Sequence, residues 1–148
     1  MAKHIDLQIQ RLDTDIPLPA YAYEGDAGLD LVSAVDVTVE PLQRVAIPTG
    51  IAIAIPAGYA GFIQPRSGLA LKAGLSMANT PGLIDANYRG ELKVAAVNLD
   101  PKVPVVIKRG DRIAQLVIQE VPVVHLVEVD TLDDTVRGAN GFGSSSVS

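Results

Sequence analysis

Glycine and proline interrupt this 148-residue chain every ten or so positions, 13 of the one and 10 of the other, and they cut its apolar runs into pieces the length of a β-strand. Pieces that short leave no room for long helices, so the chain must bury its core through sheets. Apolar residues make up 48% of the sequence but aromatics only 4%, so that core has to come from Val, Ile, Leu and Ala, residues that suit a pleated surface. The expected fold is all-β: one distorted, jelly-roll-like β-barrel over residues 1–130, with one short helix and a flexible C-terminal arm over 131–148.

The alternation along the chain fills in that outline. Ile5, Leu7 and Ile9 alternate with Asp6, Gln8 and Gln10 and predict an opening strand. Residues 13–23, with Pro17 and Pro19, read as a loop. Strands are expected around Val35, Val37 and Val39, over 45–47, over 50–55 and over 59–64, with Pro48 dividing the second from the third. Ile51, Ile53 and Ile55, spaced by alanines, predict a strand buried on both faces. Residues 66–74 alone have helical character, stopped by Gly74. Residues 75–80 and 91–99 read as the arms of a hairpin bent through Gly82-Leu83-Ile84-Asp85-Ala86-Asn87-Tyr88-Arg89-Gly90. Strands over 103–107, 113–117 and 123–129 complete the sheet. After Asp130 the composition changes, and eight of the last eleven residues are Gly, Ser or Asn, too little apolar material to fold alone.

Several chemistries are excluded at once. There is no cysteine, hence no disulfide framework, no Cys-based zinc site and no thiol nucleophile. His4 and His125 lack a partner at metal-ligand spacing and read as surface residues. The net charge of −5 argues against a nucleic-acid surface. No apolar run is long enough to span a membrane and residues 1–4 do not read as a signal, so a soluble, cytoplasmic protein is expected.

What remains is a local concentration of arginine, at Arg66, Arg89, Arg109, Arg112 and Arg137, suited to a small polyanion. Arg66 and Ser67 stand where a helix begins and its N–H groups are unpaired, an arrangement that binds phosphate and equally caps an ordinary helix. Phe142 between Gly141 and Gly143 offers a flat ring for stacking. A nucleoside polyphosphate satisfies both features. With neither a P-loop nor a dinucleotide fingerprint in the sequence, hydrolysis is the simplest reaction, and Asp85, on a solvent-facing bend, is the carboxylate best placed to activate water.

Five segments in a fixed order carry a resemblance. They are Asp26-Ala27-Gly28-Leu29-Asp30-Leu31, Pro65-Arg66-Ser67-Gly68-Leu69-Ala70, the Gly82 to Gly90 stretch, Arg109-Gly110-Asp111-Arg112-Ile113-Ala114-Gln115-Leu116 and Arg137-Gly138-Ala139-Asn140-Gly141-Phe142-Gly143-Ser144-Ser145. Together they resemble the signature blocks of the trimeric deoxyuridine triphosphate nucleotidohydrolases, the dUTPase family, over nearly the whole chain. The resemblance implies hydrolysis of dUTP to dUMP and pyrophosphate, which lowers dUTP and supplies dUMP for thymidylate synthesis. It implies that Asp85 is the general base for water attacking the α-phosphorus. Tyr88 would lie under the deoxyribose and refuse a 2′-hydroxyl. Asn79, with Gly82, Leu83 and Ile84 of the bend, would read uracil, and Lys93 would complete that pocket. Arg66, Ser67, Gly68 and Gln115 would hold the phosphates, and Asp30 would join the water shell of a magnesium ion spanning them. Arg137 would reach the γ-phosphate, with Phe142, Gly143 and Ser144 closing over the nucleotide. A homotrimer with shared sites is implied, with no nucleic-acid or membrane partner. A dCTP deaminase of the same fold and a nucleotide-binding module without turnover are the rival readings. The intact Gly-Leu-Ile-Asp-x-x-Tyr-x-Gly pattern counts against both.

Overall fold

The computed structural model describes residues 2–145. Along the chain run β1 (Gln8–Arg11), β2 (Ala20–Tyr21), β3 (Leu29–Val32), β4 (Val37–Val39), β5 (Arg44–Ala54), β6 (Tyr59–Pro65), α1 (Ser67–Ala73), β7 (Leu75–Met77), β8 (Gly82–Ile84), β9 (Glu91–Asn98), β10 (Val105–Ile107) and β11 (Arg112–Glu120). One antiparallel sheet has the order β1-β5-β9-β7 and a second the order β2-β3-β11-β6-β8, while β4 and β10 pair as a separate ribbon. The two larger sheets share one aliphatic core, so the expected jelly-roll-like, all-β architecture is present, as an open sandwich and not a closed barrel.

Side-chain alternation explains where that core sits. In β9 Leu92, Val94, Ala96 and Asn98 are buried and Lys93 between them is exposed, the period of two that puts one face inside. In β5 the run from Thr49 to Ile53 is buried on both faces, as the isoleucine-alanine alternation predicts. Each aliphatic side chain sealed this way contributes about 1.5–3 kcal/mol. Among the described residues the three buried polar side chains are all satisfied: Ser33 Oγ donates to Val35 O (2.6 Å), Thr49 Oγ1 to Leu92 O (2.6 Å), and Asn98 Nδ2 to Val39 O and Val103 O (3.0 and 2.9 Å).

Some expectations shift. β5 runs straight through Pro48, which lies opposite Lys93 at the edge of a bulge in the ladder with β9, where the register shifts before Ala52 meets Glu91. Gly50 in that bulge has φ 75°, and its carbonyl accepts from Leu12 and Asp13 (2.8 and 3.1 Å), tying the first loop to the sheet. The opening strand begins only at Gln8, since its partner β5 ends opposite that residue at Ala54. Within the expected loop over 13–23, Ala20 and Tyr21 pair as a short edge strand on β3. The expected hairpin is split between sheets: β7 pairs with β9, but β8 crosses over and pairs with β6. Residues 123–129 pair with no strand of their own chain among the described residues, and Val123, Val124, Leu126 and Val127 stand exposed.

Candidate active site

The first half of the site is built where β6 ends and α1 begins. Arg66 is the N-cap in extended conformation (φ −90°, ψ 128°) with no side-chain cap, so the N–H groups of the first turn stay open. Gly74 ends the helix in left-handed conformation (φ 74°), its N–H returned to the carbonyls of Ala70 and Leu69. Beside this start β3 and β11 lie paired with Asp30 opposite Gln115. The Asp30 carboxylate, 15% exposed, is held between Arg66 Nε at 3.4 Å and Arg112 Nη1 at 3.5 Å. Gln115 Nε2 donates to Pro65 O (3.0 Å), which fixes the carboxamide. Gly28 makes that possible, because a Cβ there would meet Gln115 Oε1 at 2.7 Å. Gly28, Asp30, Arg66 and Gln115, with Ser67, Gly68 and Lys72, line a cleft of about 590 Å³.

The second half stands on the other side of β6. After β8 the chain turns at residues 85–88, with Tyr88 N–H donating to Asp85 O (3.1 Å). Asp85 is exposed to solvent. Leu83, Ile84, Asp85, Tyr88, Glu91 and Lys93 line a separate cleft of about 210 Å³. Tyr88 Oη donates to Glu91 O (3.0 Å). Asn79 lies against Gly82, where a Cβ would come 3.4 Å from its Nδ2, so the polar end of Asn79 borders the backbone of β8.

The register places these halves apart. Ile84 lies opposite Gly61 and Gly82 opposite Ile63, so the chain reaches Asp85 toward the start of β6, while Ser67 follows the end of it. From Gly61 to Ser67 is six steps (67 − 61), which at about 3.3 Å a step is roughly 20 Å. A general base works within hydrogen-bond reach of its water. One chain therefore keeps its exposed carboxylate well away from its own phosphate-type donors.

The arm joins neither half. Arg137 Nε donates to Asn140 O (2.7 Å), Ser144 N–H to Gly141 O (3.2 Å), and the Phe142 ring is fully exposed with φ 49° at its backbone. Two more of the five clustered arginines are engaged away from both clefts. Arg89 Nη1 caps its own turn on Ala86 O and Tyr88 O (2.6 and 3.0 Å), and Arg109 pairs with Asp13 and donates to Ala34 O (2.7 Å). Lys72 lines the first cleft, and sequence reasoning gave it no role, because it sits in a helix where only the fold reveals its neighbours; Arg112, one of the clustered arginines, reaches Asp30 from beside the cleft.

Fold and clefts together define a class: a small jelly-roll-like protein with a polar cleft at a helix start and an exposed carboxylate on a distant turn. A family model described as dUTPase matches residues 14–146. Deoxyuridine 5′-triphosphate nucleotidohydrolase of Rhodococcus erythropolis is 57% identical over 145 residues, covering 98% of this chain and 88% of that one. The protein of the same name from Thermobifida fusca is 59% identical over 141 residues, covering 95% and 79%. Among solved structures, the dUTPase of Staphylococcus bacteriophage 80alpha with dUpNHpp superposes with a TM-score of 0.85 at 31% identity, over 96% of this chain and 99% of that one. A mutant dUTPase of phage phi11 of S. aureus, described with a structural Mg(II) ion, gives 0.80 at 28% identity over 88% and 100%. The chain belongs to the dUTPase family.

Proposed function

We propose that the chain hydrolyses dUTP to dUMP and pyrophosphate in the cytoplasm, at sites that three copies of it build together. The reading rests above all on the roughly 20 Å between the Asp85 turn and the α1 start, which a second chain closes by setting its turn against the first chain's cleft. Exposed Val123, Val124, Leu126 and Val127, in a segment with strand composition and no partner of its own, support an assembly that covers them. The arm, bearing Arg137, Phe142, Gly143 and Ser144, then closes from a third chain.

Within such a site the division of labour follows from the side chains. Arg66 and the open amides of Ser67 and Gly68 hold the phosphates, with Gln115 donating beside them, and spread the charge that develops on the leaving pyrophosphate. Asp85 of the facing chain takes the proton from a water molecule as its oxygen bonds to the α-phosphorus and the bond to the bridging oxygen breaks. Tyr88 underlies the deoxyribose, and Asn79, with the backbone of Gly82, Leu83 and Ile84, reads the uracil edge beside Lys93. Among the described residues no group of three His, Cys, Asp or Glu forms a metal cage. A lone, partly buried carboxylate suits an ion that keeps its water and binds mainly to substrate phosphates, as Mg²⁺ does. Asp30 is the residue that would hold that water shell, and the ion would supply charge neutralisation along the triphosphate.

The test is to supply dUTP with magnesium and follow pyrophosphate and dUMP. Release of both is expected, with dCTP, dTTP and UTP turned over poorly. Binding without product would make the chain a nucleotide-binding module, and ammonia released from dCTP would make it a deaminase.

A further inference from the structure

Gly90 is absent from the residues with positive φ, so its backbone does not call for glycine. Space does. A Cβ at this position would fall 2.6 Å from Cζ and 2.9 Å from Cε1 of Tyr88, well inside carbon–carbon contact. The Tyr88 ring is laid back along its own chain and occupies the volume a side chain at 90 would need. It is fixed there at both ends, by its N–H on Asp85 O (3.1 Å) and its hydroxyl on Glu91 O (3.0 Å). At 44% exposure the residue still presents surface to the cleft it shares with Asp85 and Lys93.

We propose that Gly90 is a positioning residue: its missing side chain is the seat of the Tyr88 ring, and the depth of that seat sets how sharply the site separates deoxyribose from ribose. The assignment rests on the reading, made above, that Tyr88 underlies the sugar. Rejecting one hydroxyl by close contact needs the ring at van der Waals distance from the sugar. A displacement on the order of 1 Å destroys such a contact. A methyl at 90 lifts the ring and breaks its bond to Glu91 O.

The experiment compares kcat/KM for dUTP and for UTP in the wild-type protein, in Gly90→Ala, in Tyr88→Ala and in the double variant. In Gly90→Ala the dUTP-to-UTP ratio is expected to fall at least about tenfold. With the ring already removed, adding the methyl should move the ratio by less than about twofold, since the two changes act through one contact. A ratio in Gly90→Ala within about twofold of wild type overturns the assignment, as does a further fall in the double variant. If Gly90→Ala alone does not fold, recovery of folded protein in the double variant places the collision on the ring, and failure of both overturns the seat. A wild-type protein that uses UTP as readily as dUTP removes the Tyr88 reading itself, a result distinct from a preference that Gly90→Ala leaves untouched.

Discussion

Asp85 is exposed on the turn that follows β8, where water reaches its carboxylate. Asp85→Asn keeps the shape and removes the proposed base. Its kcat is expected to fall about 10²–10⁴-fold while dUTP affinity, read by titration, stays near wild type; equal turnover would place the base elsewhere. A different acid serves stability. Arg109 donates to both oxygens of Asp13, one of them at 3.0 Å, and this pairing holds the Asp13 carboxyl below its ordinary value. The folded protein thus releases that proton at lower pH than the unfolded chain does. The link contributes fully above about pH 4 and fades as pH falls through the lowered value. Asp13→Asn should therefore lower the thermal midpoint at neutral pH, and the gap from wild type should close in acid; a gap independent of pH would show that the pair does not carry it.

Elements show which parts of the fold could be read from residues alone. The stop of α1 was legible, because Gly74 takes a conformation other residues avoid and its absent Cβ would lie 2.9 Å from Asp100 N. Gly74→Ala should cost about 1–2 kcal/mol for the torsion, more with that contact, measured by urea unfolding, and should weaken phosphate holding as the helix start shifts. The alternation of β9 was weaker in the sequence, where alanines fill two adjacent positions, although Leu92, Val94 and Ala96 face the core in turn. β3 was not, because Asp30 and its neighbours serve a cleft as well as a strand, and a carboxylate in a short run hides the pattern. Nor could the sequence say that β8 pairs with β6: local residues set which face is apolar but not which strand lies alongside. Candidate residues could be named from the sequence but not placed, and the distance between Asp85 and Ser67 emerges only from register.

For the molecule as a whole, the described part of the arm has little to hold it to the sandwich. Residues 122–140 are all exposed, and the last backbone bond to the sandwich among the described residues runs from Val121 N–H to Gly58 O (2.8 Å). Ending the chain before Arg137 should leave the unfolding midpoint and the sedimentation of the assembly unchanged while turnover drops; loss of folding would give the arm a structural role. The central claim is that Asp85 of one chain serves the Arg66 cleft of another, and subunit mixing tests it most directly. Asp85→Asn and Arg66→Ala, each weakly active alone, are unfolded together in equal amounts and refolded. If each site draws its base and its phosphate donors from different chains, about one site in four regains both, and activity should rise toward a quarter of wild type. Activity no greater than the average of the two parents would mean that each chain completes its own site, and would contradict the shared assembly.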